Sequence, residues 1–156
     1  MSDDERNVAI KIIFLDFDGV LNSWQSIREN RIPDLFHCLD AYHVERLNRI
    51  VIATGAVVVV SSSWRIIHPI VELRESLVKA GFKGVVSDRT PRLPGERKDE
   101  IIEWINSHRD VHDETSFVAI DDDSDANIEG HFVKTDFETG LQDDHVEKAI
   151  SILGSL

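Results

Sequence analysis

The chain has 156 residues, 42% of them hydrophobic, which is the size of one domain with its own core. Its 29 acidic against 17 basic residues give a formal net charge of -12. That excludes broad nonspecific adhesion to DNA or anionic membranes, but not a local basic groove for a nucleic-acid end.

The N-terminal stretch MSDDERNVAI is acidic and polar. It shows no basic segment followed by a long apolar run, so no signal peptide is expected, and residues 1–9 read as a flexible start. Lys11–Leu15, KIIFL, reads as a short buried strand with Asp16 at its C-terminal end. Cys38 is the single cysteine, so no intrachain disulfide can form, and a reducing cytoplasm is the expected setting. Ala41–Thr54 places Val44, Leu47, Ile50 and Val51 at helical spacing, and Gly55 is a natural stop. Ala56–Val60, AVVVV, is a β-branched run without alternation, the pattern of a strand buried on both faces. It is the longest apolar run and far too short to span a bilayer.

Pro69–Ala80 reads as a second helix ending at Gly81, with Ile70, Leu73, Leu77 and Val78 on one face. Gly84–Ser87 is a short strand, and Asp88–Gly95, with two prolines, is a loop. Arg97–Ser107 is a third helix, with Ile101, Ile102 and Ile105 turned inward and Trp104 in the core. Ser116–Ile120 is a strand followed by Asp121, Asp122 and Asp123, and His131–Lys134 is a weaker strand. Asp144–Leu153 is a final helix with Val146, Ala149, Ile150 and Leu153 on one face. The seven histidines are scattered, none pairs with cysteine at zinc spacing, and they read as surface or supporting groups.

Strands alternate with helices throughout, which predicts parallel βαβ units joined right-handed. The expected fold is α/β, a three-layer Rossmann-like parallel sheet with helices on both faces, formed as a single domain over residues 1–156. In such a sheet the strand C-termini share one edge, where ligands bind. That edge collects Asp16 and Asp18 after the first strand, Ser61 after AVVVV, Arg97 and Lys98 at a helix start, and Asp121 and Asp122 after a later strand. Carboxylates packed so closely need a cation, and hard oxygen ligands on a small open site favour Mg²⁺. A hydroxyl and a basic group beside it suit phosphate oxygens. One carboxylate can attack phosphorus, and a second can move the proton. The residues by themselves therefore point to metal-assisted phosphoryl transfer.

Four segments in this order carry a resemblance to a known family. DFDGVLN is similar to the first motif of haloacid dehalogenase-like phosphatases, VVVVSSSWR to the second, ERKDEIIEWI to the third and FVAIDDDSD to the fourth. The sequence resembles most closely a subgroup known as the phosphatase-like domain of RNA-repair proteins. The resemblance implies that Asp16 is the nucleophile and Asp18 the general acid/base. It implies Mg²⁺ held by Asp16, the Asp18 backbone carbonyl and Asp122, with Asp121 as a further candidate ligand. Ser61 would hold a phosphoryl oxygen, with Ser62, Arg65 and Asn22 as substrate-binding candidates. For the third-motif cation, Arg97 fits the R-x-x-E-I spacing and is favoured, while Lys98 fits a lysine at a helix start.

Members of this family that act on small metabolites carry a cap domain in one of two intervals; here Leu21–Gly55 is mostly a flap-like loop and one helix and Asp88–Glu96 is only a loop, so the resemblance implies an open site, as in capless relatives that work on macromolecules. The partner expected is a phosphorylated substrate, with a nucleic-acid 3′-phosphate as the leading choice and a phosphoprotein or a small phosphomonoester as the alternatives, without a membrane or an obligate protein partner. Trp24, Arg28, Arg31, Trp64 and Arg65 are candidates for a rim that stacks bases and pairs phosphates. For the two tryptophans the alternative is packing of the loop against the helices. Arg89, Arg92 and His68 read as surface groups. Two other readings are a catalytically silent domain, which the intact Asp16 and Asp18 oppose, and a phospho-receiver, whose acids come in a different order.

Overall fold

The computed structural model describes residues 10–35, 37–108 and 115–156. Five strands form one sheet in the order β3-β2-β1-β4-β5, with every neighbouring pair parallel. The strands are β1 (Ile10–Leu15), β2 (Val57–Val60), β3 (Val86–Arg89), β4 (Thr115–Asp121) and β5 (Phe132–Lys134). The helices are α1 (Trp24–Arg28), α2 (Ala41–Thr54), α3 (Trp64–Ile67), α4 (Ile70–Lys79), α5 (Arg97–His108) and α6 (Asp143–Leu153), with a 3₁₀ turn at Ser124–Ala126. The expected α/β architecture with helices on both faces is therefore present. Among the described residues no further domain interrupts the chain between β1 and β2 or between β3 and β4, and no helix is long and apolar enough to cross a membrane. Residues 1–9, read as a flexible start, lie outside the described residues.

The two faces of β1 divide the core. Ile13 and Leu15 pack with Val44, Leu47 and Ile50 of α2, Leu73 and Leu77 of α4, and Val146, Ala149 and Leu153 of α6. Ile12 and Phe14 face the other way, toward Ile101 and Trp104 of α5. This period of two is the strand geometry that alternates side chains across a sheet. Because both faces are covered, β2 and the Ile12–Leu15 part of β1 read as uninterrupted apolar runs. Helix α2 starts where Asp40 accepts the Tyr42 backbone N–H, and it ends at Gly55 in a left-handed conformation, with φ 74°.

Several sequence expectations shift: Ile102 and Val78, read as facing the core, are exposed. The strand expected at Gly84–Ser87 runs from Val86 to Arg89, because its partners on β2 are reached only there: Val58 opposes Val86, and Val60 opposes Arg89. The short helices α1 and α3 were not foreseen, since four or five residues are too few to display helical periodicity. Trp104 is buried as expected; its indole N–H donates to Asp88 Oδ2 at 2.8 Å.

Strand order reverses between β1 and β4, and such a switch point leaves a crevice beyond the strand ends. Register decides what occupies it. Leu15 is level with Val60 on one side and Ile120 on the other. The next residues, Asp16, Ser61 and Asp121, therefore emerge side by side. The backbone locks this in place: Asp16 N–H donates to Ile120 O at 3.0 Å, and Ser61 N–H donates to Leu15 O at 2.8 Å.

Candidate active site

Asp16, Asp121 and Asp122 converge, each offering a carboxylate oxygen within 4.8 Å of the others. Asp16 and Asp121 are buried and Asp122 is half-buried. Burial and the neighbouring Asp121 charge push the Asp16 carboxyl well above its usual range, against the opposing pull of Arg97. Burial pushes Asp121 up to about 7, again opposed by Arg97. Arg97 sits at the first turn of α5, its Nη1 3.6 Å from Asp16 Oδ1 and 3.8 Å from Asp121 Oδ2. Burial lowers the Arg97 pKa, but these acids outweigh it and hold the guanidinium above its ordinary value.

The fit to a divalent cation and a phosphate rests on what these groups lack. One guanidinium at 3.6 Å does not compensate three carboxylates, and a hard divalent ion suits an all-oxygen set of this kind. Ser61 Oγ and Arg97 Nη1 are both buried without a hydrogen-bond partner. An orphaned hydroxyl and an orphaned guanidinium nitrogen on one strand edge are what an anion with several oxygens would satisfy.

Gly19 makes the close packing possible. Its φ of +79° suits glycine, and a Cβ there would lie 2.6 Å from Asp122 Cγ. Thr135 Oγ1 fastens this turn by donating to Gly19 O at 2.7 Å.

Asp18 is oriented differently from the acid cluster. Its Oδ1 accepts from Asn22 Nδ2 at 3.0 Å and from Trp64 Nε1 at 2.9 Å. Both donors meet Oδ1, and among the described residues no hydrogen bond is made to Oδ2. The Asp18 carboxylate is not a member of the three-acid cluster, so the expectation that Asp18 binds metal does not extend to its side chain.

Other candidate residues are engaged by the chain itself. Asn22 was expected to contact substrate. It is fully buried, takes the Gly19 N–H on Oδ1 at 3.0 Å, and donates from Nδ2 to Leu35 O and Cys38 O as well as to Asp18. It ties the loop after β1 together. Ser62 is also fully buried, its Oγ accepting the Trp64 N–H at 3.2 Å. Arg65 was expected near the phosphate. It is 7% exposed and donates to Ser62 O, Thr90 O and Glu100 Oε2, the last at 2.6 Å. Helix α3 turns it back under the site, and a buried guanidinium needs these acceptors. Lys98 points away and pairs with Glu96 at 3.7 Å. Of the two candidate cations, Arg97 is the one at the acid cluster.

Glu100 is a residue that sequence reasoning noted only as a spacing. It accepts from Arg65 and from the Leu93 N–H, and its Oε1 lies 3.9 Å from Arg97 Nε. The R-x-x-E pattern is thus a brace: residues three apart on a helix face each other, so Glu100 steadies Arg97. Trp64, a rim candidate, is instead buried against Phe17, ring centroids 5.2 Å apart, with its indole nitrogen on Asp18. Trp24 is half exposed and packs on Phe137, Arg28 pairs with Glu138, and Arg31 is committed to Asp40.

A doubly wound parallel sheet with an acid cluster, a hydroxyl and a braced arginine at its switch point defines a haloacid dehalogenase-like domain. The chain matches, over residues 12–146, the family described as the HAD domain in Swiss Army Knife RNA repair proteins, and it belongs to that family. No curated protein and no solved structure matches it.

Proposed function

We propose that the protein is a Mg²⁺-dependent phosphomonoester hydrolase that works through an aspartyl-phosphate and acts on the 3′-phosphate of a nucleic-acid end. The observation that carries this is the pairing of the three-acid cluster with two orphaned phosphate donors, Ser61 Oγ and Arg97 Nη1. The nucleic-acid end is supported by the family's RNA-repair description and by the lack, among the described residues, of a further domain between β1 and β2 or between β3 and β4. The single free thiol, Cys38, suits a reducing cytoplasm.

Asp16, Asp121 and Asp122 would hold the Mg²⁺, together with the Asp18 carbonyl. When bound, the ion offsets charge on the carboxylates and on the phosphoryl oxygens. Asp16 attacks phosphorus with a carboxylate oxygen, and the bond from phosphorus to the leaving oxygen breaks. Asp18 gives its proton, held on Oδ2, to that leaving oxygen. Ser61 and Arg97 hold the phosphoryl oxygens in line. Asp18, now a base, takes a proton from water; the water oxygen bonds to phosphorus, the bond to Asp16 breaks, and inorganic phosphate departs. Asn22 and Trp64 keep Asp18 aimed in both steps.

Incubating the protein with Mg²⁺ and a 3′-phosphorylated oligonucleotide tests the reading, with phosphopeptides and small phosphomonoesters alongside. Phosphate release that stops with a chelator and in Asp16→Asn is expected. Release unchanged in Asp16→Asn, or no release from any substrate, sinks the assignment.

A further inference from the structure

A cleft of about 620 Å³ opens on the Asp18 side of the loop after β1. Its walls include Asp18, Trp64, Ile66, Ile67, His37 and His68. Three observations bear on what it holds.

First, Asp18 is part of the wall. If Asp18 protonates the leaving oxygen, that oxygen lies against Asp18. In-line displacement puts the leaving group opposite Asp16, so whatever the phosphate was attached to extends into the space that Asp18 lines.

Second, the walls are mostly apolar, with Asp18, Ser63 and the two histidines as their polar members. Ile66 and Ile67 are 48% and 79% exposed, a large apolar surface left in water. No Lys or Arg lines the cleft among the described residues. His68 Nδ1 bonds Glu72 and His37 Nδ1 bonds Asp34, which leaves the Nε2 of each ring for a ligand. A surface of this kind suits a flat, uncharged ring with polar edges and offers nothing to a run of phosphates.

Third, the volume is that of a small-molecule site and not of a strand-length channel. The net charge of -12 acts in the same direction, since it repels a long polyanion.

Resting on the hydrolase reading above, we propose that this cleft takes the terminal nucleoside of the phosphorylated end, one base and one sugar, and that recognition stops there. The terminal base then leaves its stack to lie against Ile66, Ile67 and the two histidines, so a single-stranded end is the substrate. Further nucleotides remain outside and add little.

Binding tests this independently of turnover. The Asp16→Asn protein with Mg²⁺ is titrated calorimetrically with uridine 3′-monophosphate, a 3′-phosphorylated single-stranded oligonucleotide and inorganic phosphate. The two nucleotides are expected to bind within about threefold of each other, and both about tenfold tighter than phosphate, as one docked base allows. The slope of log affinity against log salt is expected to be near that of a single phosphate for both. Ile67→Ser, a change at an exposed position, lowers the affinity for both nucleotides about fivefold. The exposed-site control Ile52→Ser does not. Nucleotides bound no tighter than phosphate, an oligonucleotide with a steep salt slope, or an Ile67→Ser protein that binds like its parent overturns the proposal. Failure of the hydrolase reading looks different: nucleotides bind as expected, but the wild-type protein releases no phosphate from them.

Discussion

Two buried aspartates in this molecule are treated in opposite ways. Asp40, 1% exposed, accepts from Arg31 Nε at 2.7 Å, from the Ser26 hydroxyl at 2.5 Å and from the Tyr42 N–H at 2.9 Å. Burial pulls its carboxyl up, the bonds from Ser26, Arg31 and Tyr42 outweigh burial, and Asp40 ends below its usual value. Asp16, 6% exposed, accepts the Phe17 N–H at 2.9 Å, has Arg97 only beyond hydrogen-bond reach, and ends well above the usual value. The first acid is satisfied by the chain and holds the loop after β1 onto α2. The second is left short of partners beside two more acids. Burial alone does not separate a structural acid from a chemical one; the supply of donors does.

The comparison can be broken most directly by neutralising each acid. Asp16→Asn is expected to lower kcat/KM for a phosphomonoester about 10⁴-fold, with an undiminished Tm because a repelling buried charge has gone. Steady-state kinetics and calorimetry on one preparation check both halves; a large drop in Tm would move Asp16 into Asp40's class. Asp40→Ala should do the reverse, costing about 3–5 kcal/mol in a urea melt by stranding Arg31 and Ser26. A variant as stable as the parent would show that the network contributes nothing.

Magnesium sharpens the contrast. At about a hundred times its Kd it should add about 2.7 kcal/mol to wild-type stability, and much less to Asp122→Asn. Equal gains in the two proteins would place the ion elsewhere.

Acid acts on the two regions with opposite sign. His43 lies beside Asp40, its Nδ1 bonded to Leu141 O at 3.2 Å, and burial lowers its pKa from 6.5 to about 4. It sheds a proton on folding, so its stability contribution is full above pH 6.5 and is lost as pH falls toward about 4. Asp121, raised from 3.8 to about 7, takes up a proton on folding, so metal-free protein gains stability from this group as pH falls through about 7. Urea melts in chelator at about pH 8 and about pH 5 should show His43→Gln shifted toward acid stability and Asp121→Asn away from it, each on the order of 2 kcal/mol. Shifts of the same sign would contradict the assignment. The smallest effect belongs to Lys98→Ala, expected to stay within about 0.5 kcal/mol of the parent and to turn over substrate normally. A loss of turnover there would restore Lys98 as the third-motif cation.

Much of this was legible beforehand. The alternation of apolar runs, the acids after KIIFL and FVAI, and the serine after VVVV foretell a parallel sheet with Asp16, Ser61 and Asp121 on one edge. The errors cluster where a polar side chain must choose a direction. Arg65 and Asn22 lie next to the right residues in sequence, yet one turns to Glu100 and the other to Leu35 and Cys38 carbonyls. Trp64 offered no sign that its indole nitrogen would reach Asp18, 46 residues away.

Order and spacing along the chain are local quantities. They are enough to determine the layers of the fold and which residue types reach the strand ends. Which acid is answered by the protein and which is left for a cation depends on donors brought from distant segments: Arg31 to Asp40, Trp64 to Asp18, Arg97 only part of the way to Asp16. Hydrogen bonds have directions and reach about 3 Å, so only the assembled structure decides them.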